Sequence, residues 1–141
     1  MKNFYFFSIL FTLLIFNFKS AEPSIKNNII AKVGNDIITL FELENKIKTN
    51  LLISQSQINE KNINKLKNFA LKSLINLKLK NSELQKYSLE NNQSAISEHL
   101  AKVSVQLNVQ PNLLQEVFKR NQINFDQYIK ELETEFLWQK L

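Results

Sequence analysis

The sequence predicts a mainly α domain in which a short N-terminal β-hairpin is followed by a bundle of about five helices. Three observations predict it. The 141 residues contain one Gly and two Pro, against ordinary usage of about 7% and 5%, a composition foreign to a turn-rich all-β sandwich. The one glycine, Gly34, stands with Asn35 between two β-branched runs. From Leu40 onward, apolar residues recur at three- and four-residue spacing almost to the end of the chain.

The chain begins with a different pattern. Six of its eleven Phe (Phe4, Phe6, Phe7, Phe11, Phe16 and Phe18) precede Lys19, and 12 of the 15 residues from Phe4 to Phe18 are apolar. Lys2 supplies a positive start. A secretory signal carries an apolar stretch of roughly 7–15 residues, whereas a membrane-spanning helix needs about 20. Residues 1–21 are therefore read as a signal peptide and 22–141 as the domain, exported to a periplasm-like compartment. Ala21 suits a cleavage site and Lys19 does not, so retention as an N-terminal anchor is the alternative. Without residues 1–21 the formal charge falls from +5 to 16 basic minus 13 acidic groups, or +3. A domain of that size buries around two-thirds of its unfolded-chain surface, and with no Cys in the chain packing alone must hold it together.

The elements follow in order. Ile29 to Val33 and Asp36 to Thr39 pair about Gly34-Asn35, where Gly accepts the positive φ of a two-residue turn. Thr39 opens a capping box with Glu42, and the first helix carries Leu40, Leu43, Ile47 and Leu51 on one face. A longer helix is expected from Asn59 to Leu89, with Ile63, Leu66, Ala70, Leu74 and Leu77 as its main stripe. Phe69, Leu71, Ile75 and Leu79 widen that stripe, as in the central helix of a bundle. Ser94 is expected to cap the next helix, whose face is Ile96, Leu100, Val103 and Leu107. Pro111 suits the first turn of a short helix carrying Leu113, Leu114, Val117 and Phe118. Asn124, with Gln127 three residues on, caps the last helix, and its apolar face is Phe125, Ile129, Leu132 and Phe136.

No residue pattern points to catalysis. The missing Cys removes thiolate nucleophiles and thiolate metal sites, and the single histidine, His99, sits at the edge of an apolar face with no adjacent acid or thiol. No glycine-rich phosphate loop and no zinc spacing occur, so neither a metal nor a cofactor is expected. Glu131, Glu133 and Glu135 read as charge balance on an exposed helix face. The long helix carries Lys61, Lys65, Lys67, Lys72, Lys78, Lys80 and Lys86, scattered round it, in a chain that holds 19 Asn. These read as solvated surface, with no nucleic acid implied. At 100° per residue, Leu137, Trp138 and Leu141 fall opposite the core face of the last helix. Either they pack on the long helix or they form a surface for another protein segment, which Phe118 and Tyr128 extend. Phe41 and Leu52, off the main face of the first helix, pose the same question.

Several of these segments resemble one family. Ile30-Ala31-Lys32-Val33-Gly34-Asn35-Asp36-Ile37-Ile38-Thr39 resembles the "vAxVNdevIT" opening of SurA-type periplasmic chaperones and related parvulin foldases. Ala70-Leu71-Lys72-Ser73-Leu74-Ile75 resembles the family's "L(x)xLI" motif, and Tyr128-Ile129-Lys130-Glu131-Leu132 resembles its "Yrxqir". The resemblance spans roughly residues 29–141 and implies the SurA N-terminal fold, similar to the C-terminal domain of trigger factor. It implies an ATP-independent holdase that binds unfolded outer-membrane proteins and their aromatic-rich segments. Phe118, Tyr128, Leu137, Trp138 and Leu141 are the candidate peptide-binding residues. Family members normally continue into parvulin prolyl-isomerase modules and a C-terminal segment, whereas this chain stops inside the last helix. Isomerase activity is thus not implied for these residues. The alternatives are the N-terminal part of such an isomerase and a membrane-anchored adaptor.

Overall fold

A computed structural model describes residues 28–90 and 92–141; the signal peptide expected over residues 1–21 lies outside them. The described chain forms a two-stranded antiparallel sheet and five α-helices. In order they are β1 (Ile29–Val33), β2 (Asp36–Thr39), α1 (Leu40–Ile53), α2 (Glu60–Leu84), α3 (Gln93–Gln106), a 3₁₀ turn (Pro111–Leu113), α4 (Leu114–Arg120) and α5 (Phe125–Trp138). The mainly α fold with an N-terminal hairpin is the one the sequence predicts.

Val33 pairs with Asp36 across the turn, and Ala31 with Ile38, while a bulge lies between Ile29 and Ala31. Gly34 has φ +61°, and a Cβ there would meet nothing within 4 Å. Glycine is required by the backbone, not by crowding. Thr39 then closes the capping box: Glu42 N–H donates to its Oγ1 at 3.2 Å, and Thr39 N–H donates to the Glu42 carboxylate at 2.8 Å.

Three helices stop without glycine. Gln55, Asn108 and Gln122 adopt φ of +55°, +54° and +57° just beyond α1, α3 and α4. In each case the next amide reaches back five residues: Ser56 to Leu51, Val109 to Ser104 and Ile123 to Phe118. These are Schellman caps, a motif normally closed by glycine. The left-handed strain in each is offset by satisfied carbonyls, and after α4 also by burial of Ile123 in the same core as Phe118.

Two boundaries differ from expectation. Helix α2 ends at Leu84 rather than Leu89. Asn92, not Ser94, caps α3, because its side chain accepts from Ala95 N–H at 3.1 Å. Gln127 also departs from a capping box. Asn124 accepts from Gln127 N–H at 2.9 Å, but the Gln127 amide turns away to Glu131 and the Glu42 carbonyl.

Packing divides into two cores. The first joins Ile38 of the hairpin, Leu43, Ile47 and Leu51 of α1, and Ala70 and Leu74 of α2. The second joins Val103, Leu114, Phe118, Ile123, Tyr128 and Leu132, with Leu52 and Ile53 of α1 against it. Leu52 thus finds its place in the second core, while Phe41 stays exposed. Phe118 is wholly buried and Tyr128 nearly so. Their rings stack at 5.2 Å between centroids, and Phe125 meets Phe118 edge-on at 5.1 Å. Both were candidate surface residues. Stacked aromatic pairs in a core gain about 0.5–1.5 kcal/mol beyond their burial, and neither Phe118 nor Tyr128 offers its ring to the surface of this fold.

A polar seam links the cores. Asn45, 3% exposed on α1, accepts from Asn124 N–H at 2.6 Å and donates to the Asn124 carbonyl at 3.3 Å. It thereby fixes where α5 begins. Replacing Asn45 with Ala removes both hydrogen bonds to Asn124, so Asn45→Ala should destabilise the domain by about 2 kcal/mol in urea unfolding, with little change in helical content under native conditions.

His99 is half-buried, with Nε2 2.9 Å from the Tyr128 hydroxyl and Phe136 edge-on to the ring at 5.9 Å. Burial, with a smaller contribution from Lys102, holds its pKa below the ordinary 6.5. Burial, and secondarily Glu131, keeps the Tyr128 hydroxyl protonated far above its usual range. The unfolded chain therefore binds a proton at His99 more readily than the folded one. The stability this residue contributes is complete above about pH 6.5 and is lost as pH falls through the depressed folded value. Unfolding midpoints from about pH 8 to about pH 5 should fall on acidification, and His99→Gln should flatten the portion of that fall beginning near pH 6.5.

Candidate functional site

Helix α2 packs against α1 on one side and α5 on the other. Where α5 passes the middle of α2 the two do not close completely. The groove between them has a volume of about 310 Å³, at the lower end of pockets that hold small organic ligands. It suits one or two apolar side chains of an extended segment.

Its floor is leucine: Leu74 and Leu77 from α2 face Leu137 from α5. Leu74 is 2% exposed and anchors the floor in the first core. The rim is ionic. Lys78 holds Glu42 at 2.8 Å, and Lys46, outside the groove, holds Glu131 at 2.6 Å. Burial pushes the Glu42 carboxyl up, but Lys78 and the Thr39 bonds outweigh it and keep the carboxyl below the usual carboxylate value. Gln127, Lys130 and Glu133 complete the α5 side. An apolar floor beneath a polar rim favours burial of a hydrophobic side chain.

Of Glu131, Glu133 and Glu135, expected as charge balance on an exposed helix face, Glu131 and Glu135 have specific partners instead. Glu131 is 6% exposed and is held by Lys46 from α1, while Glu135 lies 2.5 Å from Lys80 of α2. Cationic partners converge on them from two other helices. Periodicity within α5 could not reveal partners more than 50 residues away in sequence.

Leu137 lines the groove. Trp138, 37% exposed, lies beside it over Asn76, Leu79 and Lys80, with the Lys80 ammonium 6.0 Å from its ring centre. Leu141 is 55% exposed. Phe118 and Tyr128 lie away from all three, inside the second core. Leu137 and Trp138 therefore touch the long helix and still leave apolar surface in reach of solvent. The groove's other members went unseen because Leu74 and Leu77 read as core. A second line on α5 carried a signal: Gln127, Lys130, Thr134, Leu137 and Leu141 recur at three- and four-residue spacing.

Among the described residues no helix is long and apolar enough to cross a membrane, and no three His, Cys, Asp or Glu side chains gather as a metal site. No curated protein and no solved structure matches the chain. The family model of the SurA-like N-terminal domain matches residues 1–141, all of it. That family points to a chaperone-like role in binding unfolded proteins. The match takes in the hairpin and all five helices that follow, and the chain belongs to the SurA-like N-terminal domain family.

Proposed function

We propose that the chain acts as a periplasmic, ATP-independent holdase. It buries apolar segments of unfolded outer-membrane proteins in the α2–α5 groove and on the adjoining Trp138 surface, and it catalyses no reaction. The observation that carries this reading is the leucine-floored groove with Leu137, Trp138 and Leu141 exposed in part at its end. The apolar stretch from Phe4 to Phe18 supports export. Burying one client Leu or Phe contributes about 1.5–3 kcal/mol, and a few such contacts give reversible capture with no energy source.

Light scattering of a urea-unfolded β-barrel protein on dilution tests the proposal. The wild-type chain should suppress the scattering. The double variant Leu137→Asp, Trp138→Asp should lose most of that suppression while keeping its helical circular dichroism. Absence of suppression by the wild type, or full suppression by a folded variant, would contradict it.

A further inference from the structure

The side of α2 that faces away from both the groove and the core is basic and carries two bare apolar side chains. Lys61, Lys65 and Lys72 fall within about 40° of arc on a helical projection, and all three are exposed. The expectation of lysines scattered without a face fails for these three. Leu79 lies on the same line at 55% exposed, and Phe69 flanks it at 64%. From Lys61 to Leu79 the face runs about 27 Å along the helix.

No acid interrupts that run. Among the described residues none of the three lysines takes part in an ion pair; the acids near the far end, Glu83 and Glu135, are held by Lys86 and Lys80. Beyond Leu79 a shallow depression leads to Trp138. Unpaired cations and protruding Phe and Leu on one helix side are the chemistry of a surface that lies on anionic lipid. Lysines meet headgroup phosphates, and the large side chains enter the acyl boundary. A duplex nucleic acid would offer Phe69 and Leu79 no apolar contact.

We propose that this face is a peripheral docking surface for an anionic phospholipid membrane. It lies across α2 from the Leu74 and Leu77 floor, so a docked domain would keep the groove turned toward solvent, with Trp138 at the boundary between the two surfaces. Co-sedimentation of the full chain with phosphatidylcholine vesicles, with or without about a third phosphatidylglycerol, tests it. The difference between the two vesicle types is the readout, because the apolar N-terminal stretch is common to both. Binding should be stronger to the anionic vesicles and should weaken with salt.

The triple variant Lys61→Gln, Lys65→Gln, Lys72→Gln should lose roughly a hundred-fold in that preferential binding, at about one kcal/mol for each lysine. Phe69→Ser with Leu79→Ser should weaken anionic binding while leaving its salt dependence in place. All five positions are exposed, and circular dichroism checks that the variants fold. Equal binding to neutral and anionic vesicles, or no change in the lysine variant, overturns the proposal. So does preferential binding of an acidic unfolded polypeptide, with vesicles ignored.

Discussion

Two hydrogen bonds between Asn45 and Asn124 hold the domain's halves in register. On one side lies the hairpin core with α1 and the inner face of α2, and on the other the aromatic core of α3, α4 and α5. Helix α1 serves both, with Ile47 in the first and Leu52 against the second. The contact between α1 and the start of α5 is polar, and a buried polar contact holds only one arrangement well, since each misalignment leaves a donor or acceptor unmet. The Lys46–Glu131 pair and the Gln127 amide extend the seam. Because the seam is polar, leucines cannot fill the space beside it. The groove stands where the apolar packing of α2 gives way to that seam.

Most of the fold was legible because it rests on local chemistry. Thr39 with Glu42, Gly34 with Asn35, and the stripes of α1 and α3 are decided within a few residues and form as read, whereas Leu113, read into the short helix α4, lies in the 3₁₀ turn before it and is exposed. The site was legible only in part. Leu137 and Trp138 could be found by asking which side of α5 faces away from its core. Phe118 and Tyr128 could not be assigned that way, because their burial depends on stacking between residues of different helices. Glu131 misled for the same reason: its lysine sits 85 residues away in sequence. The caps at Gln55, Asn108 and Gln122 were illegible for a different cause. Left-handed Gln and Asn carry no composition signal as glycine does, and the scarcity of glycine conceals these stops.

The long helix gives the account its functional logic. One side of α2 builds the first core and the groove floor, and the opposite side presents Lys61, Lys65, Lys72 and Leu79 to solvent. Helix α5 closes the groove with Leu137 and leaves Trp138 at its edge. The proposed capture would rest on area and apolar contact rather than on directed chemistry, which suits a partner that has no fixed shape.

The central claim is that apolar segments bind at the groove and not wherever hydrophobic surface is exposed. Val105 provides the stringent comparison: at 80% it is the most exposed large apolar residue described, and it does not line the groove. A photo-crosslinking residue placed in turn at 137, 138 and 105, with an unfolded β-barrel protein as the partner, measures this directly. The account predicts strong crosslinks from positions 137 and 138 and little from 105. Crosslinking from 105 equal to or above that from 137 would contradict it.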